Sequence, residues 1–210
     1  MSGENRESLD EAMIETGKRR HVRADAQRNI DALLQTASEI FARSGVNIPM
    51  REIADKAGVG VGTLYRHFPA RSDLIVAVLR KEVHECVEKI SALGNNHSPG
   101  NALALWVDYY VDFIVAHRGL AAALNSGEPT LESLPAYFQQ QLGPAVQTLL
   151  DEAATEGEMR AGVKSSELIH AVAMLCVLPI CGEPTDPKRM AGLFVDGLRY
   201  GAINNLKHRS

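Results

Sequence analysis

Two short helical segments joined by a glycine-rich turn, over residues 49–68, constrain the fold of this chain more than any other feature. The first segment begins around Pro49, a residue suited to the first helical position, and ends at Gly58, which accepts the positive φ of a tight turn. The second covers residues 61–68 and ends there because Pro69 disfavours a helical conformation in the residue before it. The pattern predicts a helix–turn–helix unit.

The rest of the chain is also predicted to be helical, because apolar residues recur at the spacing of a helix face and no strand-like alternation is present. We expect an all-α fold of about nine helices, in which the others cover about residues 25–44, 73–93, 101–117, 119–126, 134–157, 165–179 and 187–207. A tail over residues 1–17, an N-terminal domain over 18–81 and a C-terminal domain over 82–210 complete the predicted organisation.

The net charge of −4 taken alone argues against a nucleic-acid partner. That average conceals two opposite regions. Residues 17–81 hold twelve Lys and Arg against six acids, a net +6, whereas residues 82–210 hold nine against fifteen, a net −6. The basic region coincides with the helix–turn–helix unit, which favours DNA as its partner.

The cysteine count and the terminal sequence bear on the compartment. Cys86, Cys176 and Cys181 form neither a disulfide framework nor a zinc-ligand pattern. The N-terminus lacks the features of a signal peptide, and the longest apolar run, residues 168–181, is shorter than the ~20 residues needed to span a bilayer. We therefore expect a cytoplasmic protein with no metal, no cofactor and no membrane contact.

The second helix of the motif is the candidate DNA-reading element, because its exposed side chains can donate to phosphates and arginine can also read guanine. The residues predicted to point outward are Val61, Gly62, Thr63, Tyr65, Arg66 and His67. Gly60 and Gly62 permit close approach to the sugar-phosphate chain, and the helix N-terminus favours an anion. Tyr65 and Phe68 are alternatives for the core. We expect Phe68 inside and Tyr65 outside.

The run AGVGVGTLYRHF, residues 57–68, together with residues 33–45 and 53–59, resembles the N-terminal domain of TetR-family transcriptional regulators over about residues 24–80. The resemblance implies that Thr63, Tyr65 and His67 contact mainly the DNA backbone and that Val61 and Gly62 lie at base edges. It also implies a base or phosphate contact for Arg51 and a phosphate contact for Arg71. The chain departs from the family pattern at Ile48-Pro49 and at Gly60, where hydroxyl side chains are usual.

A basic stretch at residues 18–23 precedes the first helix. By analogy with other basic arms, Arg19, Arg20 and Arg23 are candidates for the minor groove or for phosphates. The alternative is a tail without a DNA contact.

The helix predicted over 101–117 is apolar nearly all round, so it is either buried core or the wall of a ligand cavity. The resemblance favours a cavity, because regulators of that family commonly sense small molecules in this domain. Candidate lining residues are Trp106, Tyr109, Tyr110, Phe113, His117, Tyr137, Phe138, Gln141, His170 and Met174. His170 alone among them is better explained as a hydrogen-bonded core histidine.

The last two helices are predicted to form an association surface, since apolar residues and two glycines four apart share a helix face. The candidates are Leu168, Val172, Leu175, Met190, Leu193, Phe194, Gly197, Leu198 and Gly201. The resemblance implies a two-fold dimer built from a four-helix bundle. The alternative is that the same face packs within one chain.

These patterns favour a dimeric, effector-responsive DNA-binding regulator whose two recognition helices enter successive major grooves of a pseudo-palindrome. The resemblance implies that it is a repressor. An enzyme is disfavoured because no nucleophile, phosphate-binding or metal-binding motif is present, although Asp108 and Asp112 share a helix face. An adaptor without DNA binding is disfavoured by the intact recognition helix.

Overall fold

The computed structural model describes residues 26–118, 129–177 and 186–207, and within these ranges the chain forms nine helices and no strand. In chain order they are α1 (26–44), α2 (Met50–Lys56), α3 (Val61–His67), α4 (Arg71–Gly94), α5 (Pro99–Ala116), α6 (Pro129–Glu132), α7 (Leu134–Thr155), α8 (Ser165–Val177) and α9 (Pro187–Lys207). The predicted all-α fold is confirmed.

Helices α1 to α3 end where the sequence predicts breaks. Gly45 adopts a φ of +74°, and its N–H donates to the Phe41 carbonyl at 3.0 Å, which closes α1. Gly58 adopts a φ of +67° after α2, a conformation that side-chain-bearing residues rarely take. Helix α3 ends at Phe68, directly before the proline.

Helix α4 begins two residues earlier than predicted and is capped by Asp73, whose Oδ2 accepts the Ala70 N–H at 2.8 Å. The first half of α4 packs with α1, α2 and α3 around an N-terminal core. All four helices contribute buried residues to this core, and each of these residues is at most 8% exposed. The core includes Leu33, Ala37, Phe41, Ile53, Ala54, Leu64, Phe68, Leu74 and Val78. Leu131 and Leu134 of α6 and α7 also lie in it, so the two halves of the chain share buried surface.

The second half of α4 packs with α5, α7, α8 and α9 around a C-terminal core. Trp106 is fully buried there among leucine and valine side chains. Helix α4 therefore contributes to both cores, and the domain boundary predicted at residue 81 falls inside a continuous helix.

The structure adds one element to those predicted and leaves two others undescribed. Helix α6 over Pro129–Glu132 was not predicted. The predicted helix 119–126 and the tail over residues 1–17 lie outside the described residues. No helix in the described ranges is long and apolar enough to cross a membrane.

Candidate nucleic-acid interface

Helix α3 anchors itself through very few residues and exposes the others. Leu64 is 0% exposed and is the buried residue of the helix, while Phe68 directly after it is 8% exposed. Tyr65 is 47% exposed, and Arg66 and His67 are exposed beside it. The predictions that Phe68 lies inside and Tyr65 outside are both confirmed.

The turn before α3 fixes how the helix is presented. The Val59 N–H donates to the Ala54 carbonyl at 3.0 Å, and the Gly60 carbonyl accepts the Thr63 and Leu64 N–H groups at 2.9 and 3.1 Å. Val61 and Thr63 are half-buried, so the helix rests on its first turn and its outer face remains open. This is the presentation that entry into a groove requires.

Two arginines on this surface carry unneutralised charge. Arg51 on α2 and Arg66 on α3 are exposed and make no ion pair or hydrogen bond within the described residues. By contrast, Lys56 Nζ lies 2.9 Å from Glu52 Oε1 on the same helix. The two arginine charges are therefore available for phosphates or base edges.

The glycines at the start of α3 leave space outside the protein. A Cβ at Gly62 would meet no atom of this chain within 4 Å, and a Cβ at Gly60 would meet only Thr63 Oγ1 at 3.9 Å. Neither glycine is required by internal packing. A requirement for them has to come from something that approaches the helix from outside.

Arg71 makes internal hydrogen bonds that the sequence did not reveal. Its Nη1 donates to the carbonyl oxygens of Val46 and Ile48, in the turn between α1 and α2, and the side chain is half-buried. The guanidinium thus ties the first turn of α4 to the segment that precedes the helix–turn–helix unit. The predicted phosphate contact stays a prediction, and the structure gives Arg71 a positioning role besides. Arg19, Arg20 and Arg23 of the basic stretch lie outside the described residues.

A row of four rings runs along one side of α5. The Trp106 and Tyr110 centroids are 5.1 Å apart and nearly parallel, those of Tyr110 and Phe113 are 6.0 Å apart, and those of Phe113 and His117 are 5.0 Å apart. The Trp106 Nε1–H donates to the Cys86 carbonyl at 3.2 Å, and burial raises the pKa of Tyr110 above its ordinary value. We call these four residues the aromatic row. Trp106 and Tyr110 pack as core side chains, Phe113 is half-buried against the core, and His117 is a buried polar residue at the end of the row.

The other predicted lining residues divide into two groups. Tyr109, Tyr137 and Phe138 are half-buried against the C-terminal core, and burial raises the pKa of Tyr109 to about 12. Gln141, His170 and Met174 are exposed, so they do not join the aromatic row. The expectation that His170 is a core histidine is wrong, because Leu168, Ile169 and Val172 form the inward stripe of α8 and His170 points away from it.

The predicted association residues also divide. Leu168, Val172 and Leu198 are at most 7% exposed within a single chain, so their assignment to an association surface is wrong and the alternative of packing within the chain holds. Leu175, Met190 and Phe194 are half-buried, and the exposure of Gly201 is outside what the structure describes. Leu193 is 59% exposed, and Gly197 is exposed with nothing within 4 Å of a Cβ built on it.

Tyr200 of α9 and Met174 of α8 are also exposed, at 65% and 41%. The sequence prediction placed Met174 in the effector site and omitted Tyr200, although the spacing of Tyr200 from Leu193 and Gly197 places it on the same helix face. We call Leu193, Gly197 and Tyr200 the exposed apolar face.

Two further contacts bear on the predictions. Arg80 Cζ lies 5.2 Å from the centroid of the Tyr137 ring, so this arginine bridges α4 and α7. Asp112 pairs with Lys188 at 2.8 Å, which joins α5 to α9 and leaves Asp108 and Asp112 without the arrangement of a catalytic pair. Within the described part of the chain, no group of three or more His, Cys, Asp and Glu side chains is placed to hold a metal ion.

Comparison with known proteins gives two family matches. Residues 33–78 match the family model described as bacterial regulatory proteins, tetR family. Residues 98–200 match the one described as transcriptional regulator SbtR-like, C-terminal domain. The first match covers the helix–turn–helix unit, and the second covers helices α5 to α9.

Individual relatives agree with these matches. An HTH-type transcriptional regulator of Staphylococcus aureus strain MRSA252 is 31% identical over 123 residues, which span 58% of this chain and 66% of that protein. A TetR transcriptional regulator of Streptomyces coelicolor has a similar solved structure, with a TM-score of 0.65 and 32% identity over 80% of this chain and 97% of that one.

FadR of Bacillus subtilis, solved in complex with stearoyl-CoA, shares the fold at a TM-score of 0.62 and 17% identity, over 82% of this chain and 98% of that one.

Proposed function

Since the chain belongs to the TetR family of bacterial regulatory proteins, we propose that it binds an operator in double-stranded DNA as a homodimer and represses transcription until a small-molecule effector releases it. It is proposed to act in the cytoplasm, without a metal or organic cofactor and without enzymatic activity. Two recognition helices would enter successive major grooves about 34–36 Å apart.

One observation carries the DNA-binding proposal: α3 is held by Leu64 while Tyr65, Arg66 and His67 stand exposed, and Arg51 of the adjoining helix α2 is exposed as well. Groove-reading helices need this combination of a small packed side and an open polar side. Both arginines are unpaired within the described ranges, so their binding to phosphate would not cost an internal ion pair.

The experiment is selection of bound duplexes from a random DNA pool, followed by measurement of affinity at several salt concentrations. We expect a pseudo-palindromic site and a steep salt slope. Arg66→Gln should reduce the slope by about one unit if the guanidinium contacts a phosphate. Arg160→Gln removes the same charge from an exposed position beyond α7 and serves as the matched control. Failure to enrich any sequence would contradict the proposal.

The exposed apolar face supports the dimer. Two α8–α9 pairs from two copies would cover Leu193 and Tyr200, and Gly197 would let the helices approach closely because no side chain intervenes. Substituting an aspartate for Leu193 would bury a charge in that contact, so Leu193→Asp should yield monomers in sedimentation experiments. Leu105→Asp alters another exposed leucine, 41% exposed on α5, and should leave the dimer intact.

Effector sensing is proposed to act through the aromatic row, where an apolar ligand would displace or join the stacked rings. The FadR structure shows that this fold admits an organic ligand. Trp106 is the only tryptophan in the sequence, so its fluorescence reports on the row without interference. A compound that is retained by the purified protein in native mass spectrometry should change Trp106 fluorescence and weaken operator binding at the same concentration. A retained compound that does neither would argue against this site.

A further inference from the structure

A small polar cluster lies where α1, α4 and α5 meet. It consists of Ser38, Glu82 and His117, which are separated by 44 and 35 residues in sequence. Ser38 and His117 are 7% and 9% exposed, and the Glu82 side chain is 14% exposed. Polar side chains buried to this degree require partners, because an unsatisfied buried group costs free energy.

The hydrogen bonds in the cluster define where its protons lie. Ser38 Oγ donates to Glu82 Oε1 at 2.5 Å. His117 Nδ1 lies 2.8 Å from the Phe113 carbonyl oxygen, which can only accept, so Nδ1 carries a proton. The other ring nitrogen, Nε2, lies 3.5 Å from Ser38 Oγ and 3.7 Å from Glu82 Oε1.

Those two distances make the cluster sensitive to a second proton. In the neutral ring, the Nε2 lone pair faces the Ser38 oxygen. The hydroxyl proton of Ser38 is already engaged in the hydrogen bond to Glu82, so Nε2 receives no proton donor from it. In the protonated ring, Nε2–H becomes a donor directed at Ser38 Oγ and Glu82 Oε1, and an ion pair then joins α5 to α4. Protonation thus strengthens the contact between the helices.

The surrounding charges favour this pairing. Within the described ranges, Glu82 is the one carboxylate within 4.0 Å of the His117 ring nitrogens. Helix α1 contributes the uncharged Ser38, and Lys81 of α4 is paired with Glu85 at 2.7 Å and with Gln35 at 2.8 Å. Arg118, the next residue of the chain, is exposed.

The position of the cluster links the two functions. His117 ends the aromatic row, 5.0 Å from the Phe113 ring, and Phe113 packs against both the N-terminal and the C-terminal core. Ser38 lies on α1 of the N-terminal domain, and Glu82 lies on the helix that both cores share. A displacement of the aromatic row would therefore be transmitted to α1 and α4 through the His117 ring.

We propose that His117 is a positioning residue which, through Ser38 and Glu82, fixes the orientation of the DNA-binding helices relative to α5 according to the protonation of its Nε2. This proposal rests on the proposed function, since the orientation is read out as operator affinity. His117 does not touch DNA in this role. It acts by holding α1 and α4.

The test compares operator affinity at about pH 6 and about pH 8, on either side of the range in which histidine ordinarily titrates, at constant ionic strength. His117→Gln should remove the cluster's share of the pH effect and change the ratio of the two affinities at least about fivefold, the lower end of typical coupling between sites. His67 on α3 is retained in every variant, so the comparison isolates the substituted position.

The matched control is His84→Gln. His84 Nε2 lies 3.3 Å from Glu88 Oε1, but both side chains are about two-thirds exposed or more and lie on the same helix. This pair has the same chemistry without bridging two elements, so the affinity ratio should stay that of the unaltered protein.

Ser38→Ala gives a second, opposite test and covers the case in which His117→Gln fails to fold. Without the serine hydroxyl, Glu82 loses a donor and depends more on protonated His117, so the pH effect should grow. Loss of packing alone would not increase it. A ratio unchanged from the unaltered protein in the folded variants would overturn the proposal, whereas absence of specific DNA binding by the unaltered protein would overturn the proposed function itself.

Discussion

Helices α3 and α5 both carry aromatic residues, but α3 exposes them and α5 buries them. Helix α3 buries one residue, Leu64, and exposes Tyr65, Arg66 and His67, whereas α5 buries seven of its eighteen residues, among them Trp106 and Tyr110. An aromatic ring on α3 is thus free for a partner, and an aromatic ring on α5 is committed to packing. The difference teaches that an exposed aromatic ring indicates a partner more directly than a buried one does.

This comparison of α3 with α5 would fail if the protein were equally stable without the buried Trp106 ring. Trp106→Ala should destabilise the protein by about 3–5 kcal/mol, because it removes a fully buried indole and leaves a cavity. Thermal or denaturant unfolding of the two proteins measures the change. A loss below about 1 kcal/mol would mean that α5 tolerates an empty site there, as a ligand cavity would.

The exposed ring should behave in the opposite way. Tyr65→Ala should change the free energy of unfolding by no more than about 0.5 kcal/mol, since the side chain is 47% exposed. Operator affinity should fall about tenfold or more, because a hydrogen bond to a charged group is worth about 1.5–3 kcal/mol. Fluorescence anisotropy with a labelled duplex measures it, and a variant that bound normally would remove Tyr65 from the interface.

Arg71 is intermediate between the buried Trp106 and the exposed Tyr65. Its side chain is half-buried and hydrogen-bonded within the chain, yet it is also predicted to contact phosphate. Arg71→Gln should cost about 1–3 kcal/mol of stability by leaving the Val46 and Ile48 carbonyls without their donor. If its role is positioning alone, the salt slope of DNA binding should stay constant, in contrast to Arg66→Gln. A slope reduced by about one unit would instead show a direct phosphate contact.

Gly62→Ala is expected to have a small effect on folding, of the opposite sign. Alanine should stabilise the exposed start of α3 by up to about 0.5–1 kcal/mol, since the added Cβ meets no atom of the chain within 4 Å. Operator affinity should nevertheless fall, because the methyl group occupies space that DNA would enter. Unfolding and binding measurements on one preparation would show the two changes in opposite directions, and a gain in both would argue that DNA does not approach this glycine.

Local sequence signals predicted the helix boundaries well where a single residue determines the backbone conformation. Gly45 and Gly58 end their helices with the positive φ that glycine accepts, and Phe68 precedes the proline that ends α3. Of the residues of α3 predicted to point outward, Gly62, Tyr65, Arg66 and His67 are exposed, whereas Val61 and Thr63 are half-buried.

The remainder depended on contacts between distant parts of the chain. Helix α8 is apolar on most sides, so its sequence did not show that Leu168 and Val172 face inward while His170 and Met174 face outward. The cluster of Ser38, Glu82 and His117 has no sequence signal at all, since its members come from three helices. Such sets can be recognised only after the helices are packed.

Helix α4 is a single rod of 24 residues, about 36 Å long at 1.5 Å per residue, that belongs to both cores. Under the proposed function, α4 would work as a lever whose load is the DNA-binding end. A tilt of about 5° at the far end moves that load by about 3 Å over such a length, close to the ~3.4 Å between successive bases of a strand. A side-chain displacement too small to disturb either core would therefore be enough to shift a recognition helix out of step with its half-site.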